Sequence, residues 1–135
     1  MKKSEIKNSA ELFYYKATVD FAAAKTLLEA VEKSEMEIDL EVVFFHLQQT
    51  AEKLLKSLLS HKKIRIDKTH DIENITAHCL QNQIELLSGI EILNSLSEFA
   101  VEGRYAVLHD DVLDTQKYIA FLENLIVFVK KSITH

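Results

Sequence analysis

Residues 40–61 read LEVVFFHLQQTAEKLLKSLLSH, a stretch with neither glycine nor proline. Leu40, Phe44, Leu47, Ala51, Leu54 and Leu58 recur there at steps of three and four, the period of one face of an α-helix. The same period extends on both sides. Phe13, Ala17, Phe21, Ala24, Leu28 and Val31 predict a first helix over about residues 10 to 33, with 34–37 as the connection. After the second helix the basic segment 62–68 has no helical period. Thr69 or Asp71 then suits the N-cap of a short third helix carrying Ile72, Ile75 and Cys79, because either side chain accepts from free backbone N–H groups. Residues 81–83 read as a break. A fourth helix is expected over about 85 to 101 on Leu86, Ile90, Leu93, Leu96 and Ala100, with Gly89 inside it at a cost of about 1 kcal/mol against alanine. Gly103 suits a helix end. A last helix begins near Asp110 or Asp111 and carries Tyr118, Leu122, Leu125 and Val129 as one stripe. Its other apolar residues, Ile119, Phe121, Ile126 and Phe128, lie on further faces. Such a helix needs more than one neighbour, either as the centre of the bundle or at a homodimer interface.

Composition agrees. The 135 residues suffice for a single domain, residues 1–135, with one buried core. Sheet-rich folds of this size draw on glycine and proline for turns, and the chain has two Gly and no Pro. The expected class is therefore all-α, a few long helices joined by short polar loops. The net charge of -5 rules out a surface that is polyanion-binding as a whole, although a local basic patch remains open. No signal peptide is visible, and the longest apolar run, residues 125–129, is far too short for a bilayer, so no membrane partner is expected. One cysteine, Cys79, makes no internal disulfide and agrees with a reducing cytoplasm. Among the histidines, His78 stands beside Cys79 and His70 eight residues earlier. Neither gives a spacing that sets two ligands on one side of a metal, so no metal and no cofactor are expected.

Three clusters carry polar chemistry. In the second helix Gln49, Lys53 and Lys56 share a face, and Glu52 with Lys56 forms an i,i+4 pair in the favourable orientation. The plain account of that cluster is a solvated helix face. Lys68-Thr69-His70-Asp71 is the second, with helix capping as its plain account. The third is Glu102-Gly103-Arg104-Tyr105-Ala106-Val107-Leu108-His109-Asp110-Asp111, where an arginine and a histidine are separated by four residues beside two carboxylates.

In this order the clusters resemble the HEPN family (higher eukaryotes and prokaryotes nucleotide-binding domain) over about residues 10–131. The Gln48-Gln49-x-x-Glu52-Lys53 core is the most telling piece, followed by the Lys-Thr-His-Asp turn and the Arg104-Tyr105 pair ahead of an amphipathic last helix. The resemblance implies an up-and-down bundle of four to five helices that pairs into a homodimer. It also implies a nucleotide- or RNA-contacting partner of a separate minimal nucleotidyltransferase, in a toxin–antitoxin-like arrangement. Some members are metal-independent ribonucleases with Arg-x(4 to 6)-His, and Arg104 and His109 fit that spacing as the catalytic pair. Tyr105, Gln49, Lys53, Lys56 and His70 would then be binding residues. Tyr105 departs from the Asn, Asp or His that the ribonuclease members often carry. Asp111 stands where one branch has a tyrosine that its transferase modifies.

The chemistry is plain without the family. Cleavage through an RNA 2′-hydroxyl needs a proton acceptor near neutral pH, which histidine supplies. It also needs positive charge where phosphorane oxygens develop, and a guanidinium forks onto phosphate oxygens. Residues five apart on one helix point about 140° away from each other. Arg104 and His109 therefore converge only across a bend or between two subunits. The competing class is a non-catalytic substrate- or partner-binding module docking through Gln49, Lys53, Lys56 and the basic segment 62–68. A ligand-free structural oligomer is the third.

Overall fold

The structure, a computed structural model, describes residues 1–33, 40–100 and 112–134, with only the backbone of 112–114. A short 3-10 turn, Lys3–Glu5, precedes α1 (Ser9–Glu32) and α2 (Leu40–His61). The chain continues through α3 (Ile72–Gln81), a 3-10 helix (Ile90–Phe99) and α4 (Val112–Ile133). Among the described residues every regular element is helical.

Each start has its chemical reason. The Asn8 side chain accepts the Glu11 N–H at 2.9 Å and opens α1. Asp71 does the same for α3 through the Glu73 N–H at 3.2 Å, while the Thr69 hydroxyl accepts the Asp71 N–H at 3.1 Å. Both expected capping residues thus take part, with Asp71 at the N-cap. The proposed caps of the last helix, Asp110 and Asp111, lie outside the described residues, which resume at Val112.

The buried stripe of α1 is Ala10, Tyr14, Ala17, Phe21, Ala24 and Leu28. It differs from the expected one by taking Tyr14 in place of Phe13, because the alternating four-and-three step carried back from Ala17 lands there, and by ending at Leu28, with Val31 only half-buried. Three alanines in this stripe put only methyl groups into the seam with α2. The two backbones come close enough for the Ser57 hydroxyl to donate to the Ala10 carbonyl at 2.7 Å. Ser9 and Ser60 hydroxyls also meet at 2.7 Å, so α1 and α2 run antiparallel. Glu32 meets Gln116 and Lys25 meets Glu123, which sets α4 antiparallel to α1 as well. The segment containing α3 and the 3-10 helix carries the chain back between α2 and α4, giving the up-and-down course.

The central helix is α2. It touches α1, α3, the 3-10 helix and α4, and Leu47, Leu54 and Leu55 are fully buried on it. Each such leucine contributes about 2 kcal/mol of apolar burial. The several apolar faces of α4 are served by α2, α1 and the 3-10 helix. Phe121, Ile126 and Phe128 stay half-buried and Val127 is exposed.

The fourth helix differs from the expectation. Residues 84–87 have no regular structure, and the helix begins after Gly89 and has the tighter 3-10 winding. At three residues per turn Ile90, Leu93, Leu96 and Phe99 fall on one line, and those four are buried, with Phe99 taking the place expected for Ala100. Gly89 is the N-cap at φ 89° rather than an interior residue, and a Cβ there would stand 3.4 Å from the Phe121 ring. The Phe99 ring stacks on Phe44 with centroids 5.1 Å apart. Ser97 accepts the Ile72 N–H at 2.9 Å, and Ser95 meets the Tyr118 hydroxyl at 2.6 Å.

Candidate functional site on the polar side of α2

The i,i+4 geometry of α2 lays its polar residues in two adjacent rows. His46, Gln49 and Lys53 form the row toward α1, and Gln48, Glu52 and Lys56 form the row toward α3. In the first row Asp20 of α1 is the anchor. Its carboxylate takes the His46 Nδ1 at 3.0 Å on one oxygen and the Lys53 ammonium on the other.

In the second row Glu52 is the anchor. Lys56 donates to its Oε2 at 2.8 Å and Gln48 to its Oε1 at 2.9 Å. The His70 Nδ1 lies 3.0 and 3.2 Å from its two oxygens. Gln48 also donates to the His70 carbonyl at 3.1 Å, so the residue ahead of α3 is gripped by backbone and ring together. Gln49 donates to the Gln48 side-chain oxygen at 2.7 Å.

Burial decides what these groups are. Gln48 is fully buried, and the side chains of Glu52 and Lys56 are 6% and 12% exposed. This side of α2 is therefore no solvated helix face. Burial alone would push the Glu52 carboxyl up. The hydrogen bonds from Lys56 and Gln48, the Lys56 charge and the His70 contact outweigh it and hold the carboxyl below its ordinary range. Glu52 is thus a carboxylate at neutral pH and can only accept. It follows that the His70 Nδ1 carries the proton. The His70 side chain is 64% exposed. In its neutral form the ring has only Nε2 left to accept a proton or a hydrogen bond from a ligand.

The sequence-expected binding residues Gln49, Lys56 and His70 therefore come together in the network around Glu52, while Lys53 lies in the neighbouring row against Asp20. Arg104, Tyr105 and His109 lie outside the described residues. Asp20 and His46 were missed. Asp20 precedes Ala24 by one helical turn on the buried face of α1, and a carboxylate at such a position calls for a cation opposite.

The other histidine neighbourhood is structural. His78 donates through Nε2 to the Arg65 carbonyl at 2.8 Å. The buried Cys79 thiol is pushed up to about 12 by loss of solvent, which leaves it protonated and unreactive. Among the described residues no group of three His, Cys, Asp or Glu is placed to hold a metal ion, and no helix is long and apolar enough to cross a membrane.

A helical bundle with a Gln-Gln-x-x-Glu-Lys network on its second helix defines the class. The family model described as the HEPN domain matches residues 10–132, and the chain belongs to that family. Its fold is also that of the crystal structure of an archaeal HEPN homologue, with a TM-score of 0.65 and 19% identity, the match covering 95% of this chain and 99% of that one. No curated protein matches the chain.

Proposed function

We propose that this HEPN chain contacts RNA or a nucleotide as a cytoplasmic homodimer, beside a separate minimal nucleotidyltransferase in a toxin–antitoxin-like pair. The observation that carries this reading is Arg104-x4-His109 ahead of α4 in a chain of this family. The cluster on α2 supports it by fixing α1, α2 and the start of α3 to one another, a rigid base for groups that must meet a phosphate.

In the catalytic form of the reading, RNA is cut without a metal. His109 takes the proton of a 2′-hydroxyl, the freed oxygen attacks phosphorus, and Arg104 neutralises the charge on the phosphorane. The bond to the 5′-oxygen breaks, that oxygen takes a proton, and a cyclic phosphate is left. Residues five apart on one helix would diverge, so a bend between them or a second subunit supplies the convergence.

Tyr105, where ribonuclease members often carry Asn, Asp or His, favours the second reading, a non-catalytic module that binds the same ligand without cutting it. One experiment separates them. Purified protein is incubated with total cellular RNA in EDTA beside Arg104→Ala and His109→Ala. Cleavage by the wild type and by neither variant is the expected result for the catalytic form. Cleavage unchanged in His109→Ala would sink it, and no cleavage by any of the three moves the assignment to the binding module.

A further inference from the structure

The charge of the molecule is polarised along the bundle. α1 begins where α2 and α4 end, as the Ser9–Ser60 contact and the crevice shared by Leu58, Lys62, Phe128 and Ser132 show. That end gathers Lys2, Lys3 and Lys7 ahead of α1, Lys62, Lys63 and Arg65 after α2, and Lys130 and Lys131 at the end of α4. Counting Lys68, which leads from there toward His70, these are more than half of the 16 Lys and Arg in a chain of net charge -5. None of them is in an ion pair among the described residues. Glu5, Glu11, Asp67 and Glu85 share the region, but Glu5 and Glu11 turn their carboxylates onto the backbone N–H groups of Lys2 and Lys7. A positive surplus remains. Helix dipoles account for cations in the last turns, such as His61, Lys130 and Lys131. They disfavour Lys2, Lys3 and Lys7, which stand before a helix N-terminus.

Two crevices open on either side of His61. One, of about 360 Å³, lies between Leu58, Lys62, Gln83, Ile84 and Phe128. The other, of about 370 Å³, lies between Asn8, Ser9, Ser60 and Lys63.

The backbone adds an independent observation. α2 closes with Lys63 N–H to the Ser60 carbonyl and Ile64 N–H to the Leu59 carbonyl, and α3 closes with Gln83 to Leu80 and Ile84 to Cys79. This is the Schellman closure, whose left-handed residue is ordinarily glycine. Here it is Lys63 at φ 59° and Gln83 at φ 57°, one on each crevice. Unfavourable backbone is retained where it presents a cation and an amide to the openings.

We propose that this end of the bundle is a docking surface for single-stranded RNA. Backbone phosphates lie on Lys62, Lys63, Lys130 and Lys131, and a base enters the crevice against the half-buried ring of Phe128. The proposal rests on the RNA reading above and adds where the strand is held. Concave openings with one aromatic wall fit a base.

The test is anisotropy of a labelled oligouridine of about 16 nucleotides in EDTA, titrated from about 50 to about 200 mM salt. Lys62→Gln/Lys63→Gln and Lys130→Gln/Lys131→Gln should each weaken binding about tenfold and lower the salt slope by about 1.4. Lys16→Gln/Lys117→Gln, the same change of charge elsewhere, should bind as the wild type does. Melting temperatures confirm that all variants are folded. Unchanged binding by both test variants, with loss in Arg104→Ala, overturns the docking end and leaves the RNA reading standing. A wild type that binds no RNA overturns both, and binding only to phosphatidylserine vesicles reassigns the surface to a membrane.

Discussion

Lys53 and Lys56 are followed within ten residues by Lys62 and Lys63, yet the two pairs have opposite surroundings. The first pair is 23% and 12% exposed, each against a carboxylate on or beside α2. The second is exposed just past the end of the helix and is in no ion pair among the described residues. What a lysine offers a polyanion depends on whether a carboxylate is already beside it. In the α2 network, Asp20 and Glu52 cancel Lys53 and Lys56, so its value is positional. At the basic end the cations outnumber the carboxylates and none is held in an ion pair among the described residues, so its value is attraction at a distance and a dependence on salt.

The sharpest way to break this contrast is to remove Glu52. Glu52→Ala strands the nearly buried Lys56 ammonium and releases both Gln48 and His70. The expected loss is about 3 kcal/mol, the low end for breaking a buried pair because Lys56 keeps some solvent. Lys62→Ala, with no partner to strand, should stay within about 0.5 kcal/mol. Urea denaturation at neutral pH measures both. Equal and small effects would show the α2 network to be as dispensable as a surface pair.

Much of this was legible in the sequence, and the exceptions have physical causes. The boundaries of α2 were readable because its apolar period is unbroken for its whole length. The 3-10 helix was misread because Leu86, Ile90, Leu93, Leu96 and Ala100 satisfy a 3.6-residue period while Ile90, Leu93, Leu96 and Phe99 satisfy a period of three. Only the stacking of Phe99 on Phe44 and the left-handed Gly89 decide between them. Gln49, Lys53, Lys56 and His70 were legible as a set from motif order. That they turn inward onto two separate carboxylates was not, since one of these is Asp20, 33 residues before Lys53 on another helix. Two glycine-free Schellman closures were equally hidden, because sequence patterns look for glycine at that place.

A smaller effect sharpens the comparison through pH. Glu52 has its folded pKa below the ordinary carboxylate value. As pH falls, the unfolded chain binds the proton first. The stabilisation from Glu52 is therefore fully present above the ordinary value, about 4, and is lost as pH falls through the lower folded value. Glu52→Gln should flatten the acid limb of stability against pH, and Lys62→Gln should leave its shape as in the wild type. Two curves of equal slope in acid would mean that Glu52 is not held ionised by its neighbours.

The smallest effect concerns the backbone beneath the basic end. Gln83→Gly removes the left-handed cost of a side chain at φ 57° and gives back part of it as extra freedom in the unfolded chain. The net gain expected in urea denaturation is about 0.5 kcal/mol. Lys63→Gly should gain a similar amount and, unlike Gln83→Gly, also lower the salt slope of RNA binding by about 0.7. A variant that is more stable but binds less well is the signature of a residue kept for its charge against the preference of its own backbone. If Lys63→Gly destabilises the fold, the lysine side chain is contributing packing at the end of α2, and the division between positional and attractive lysines loses its clearest member.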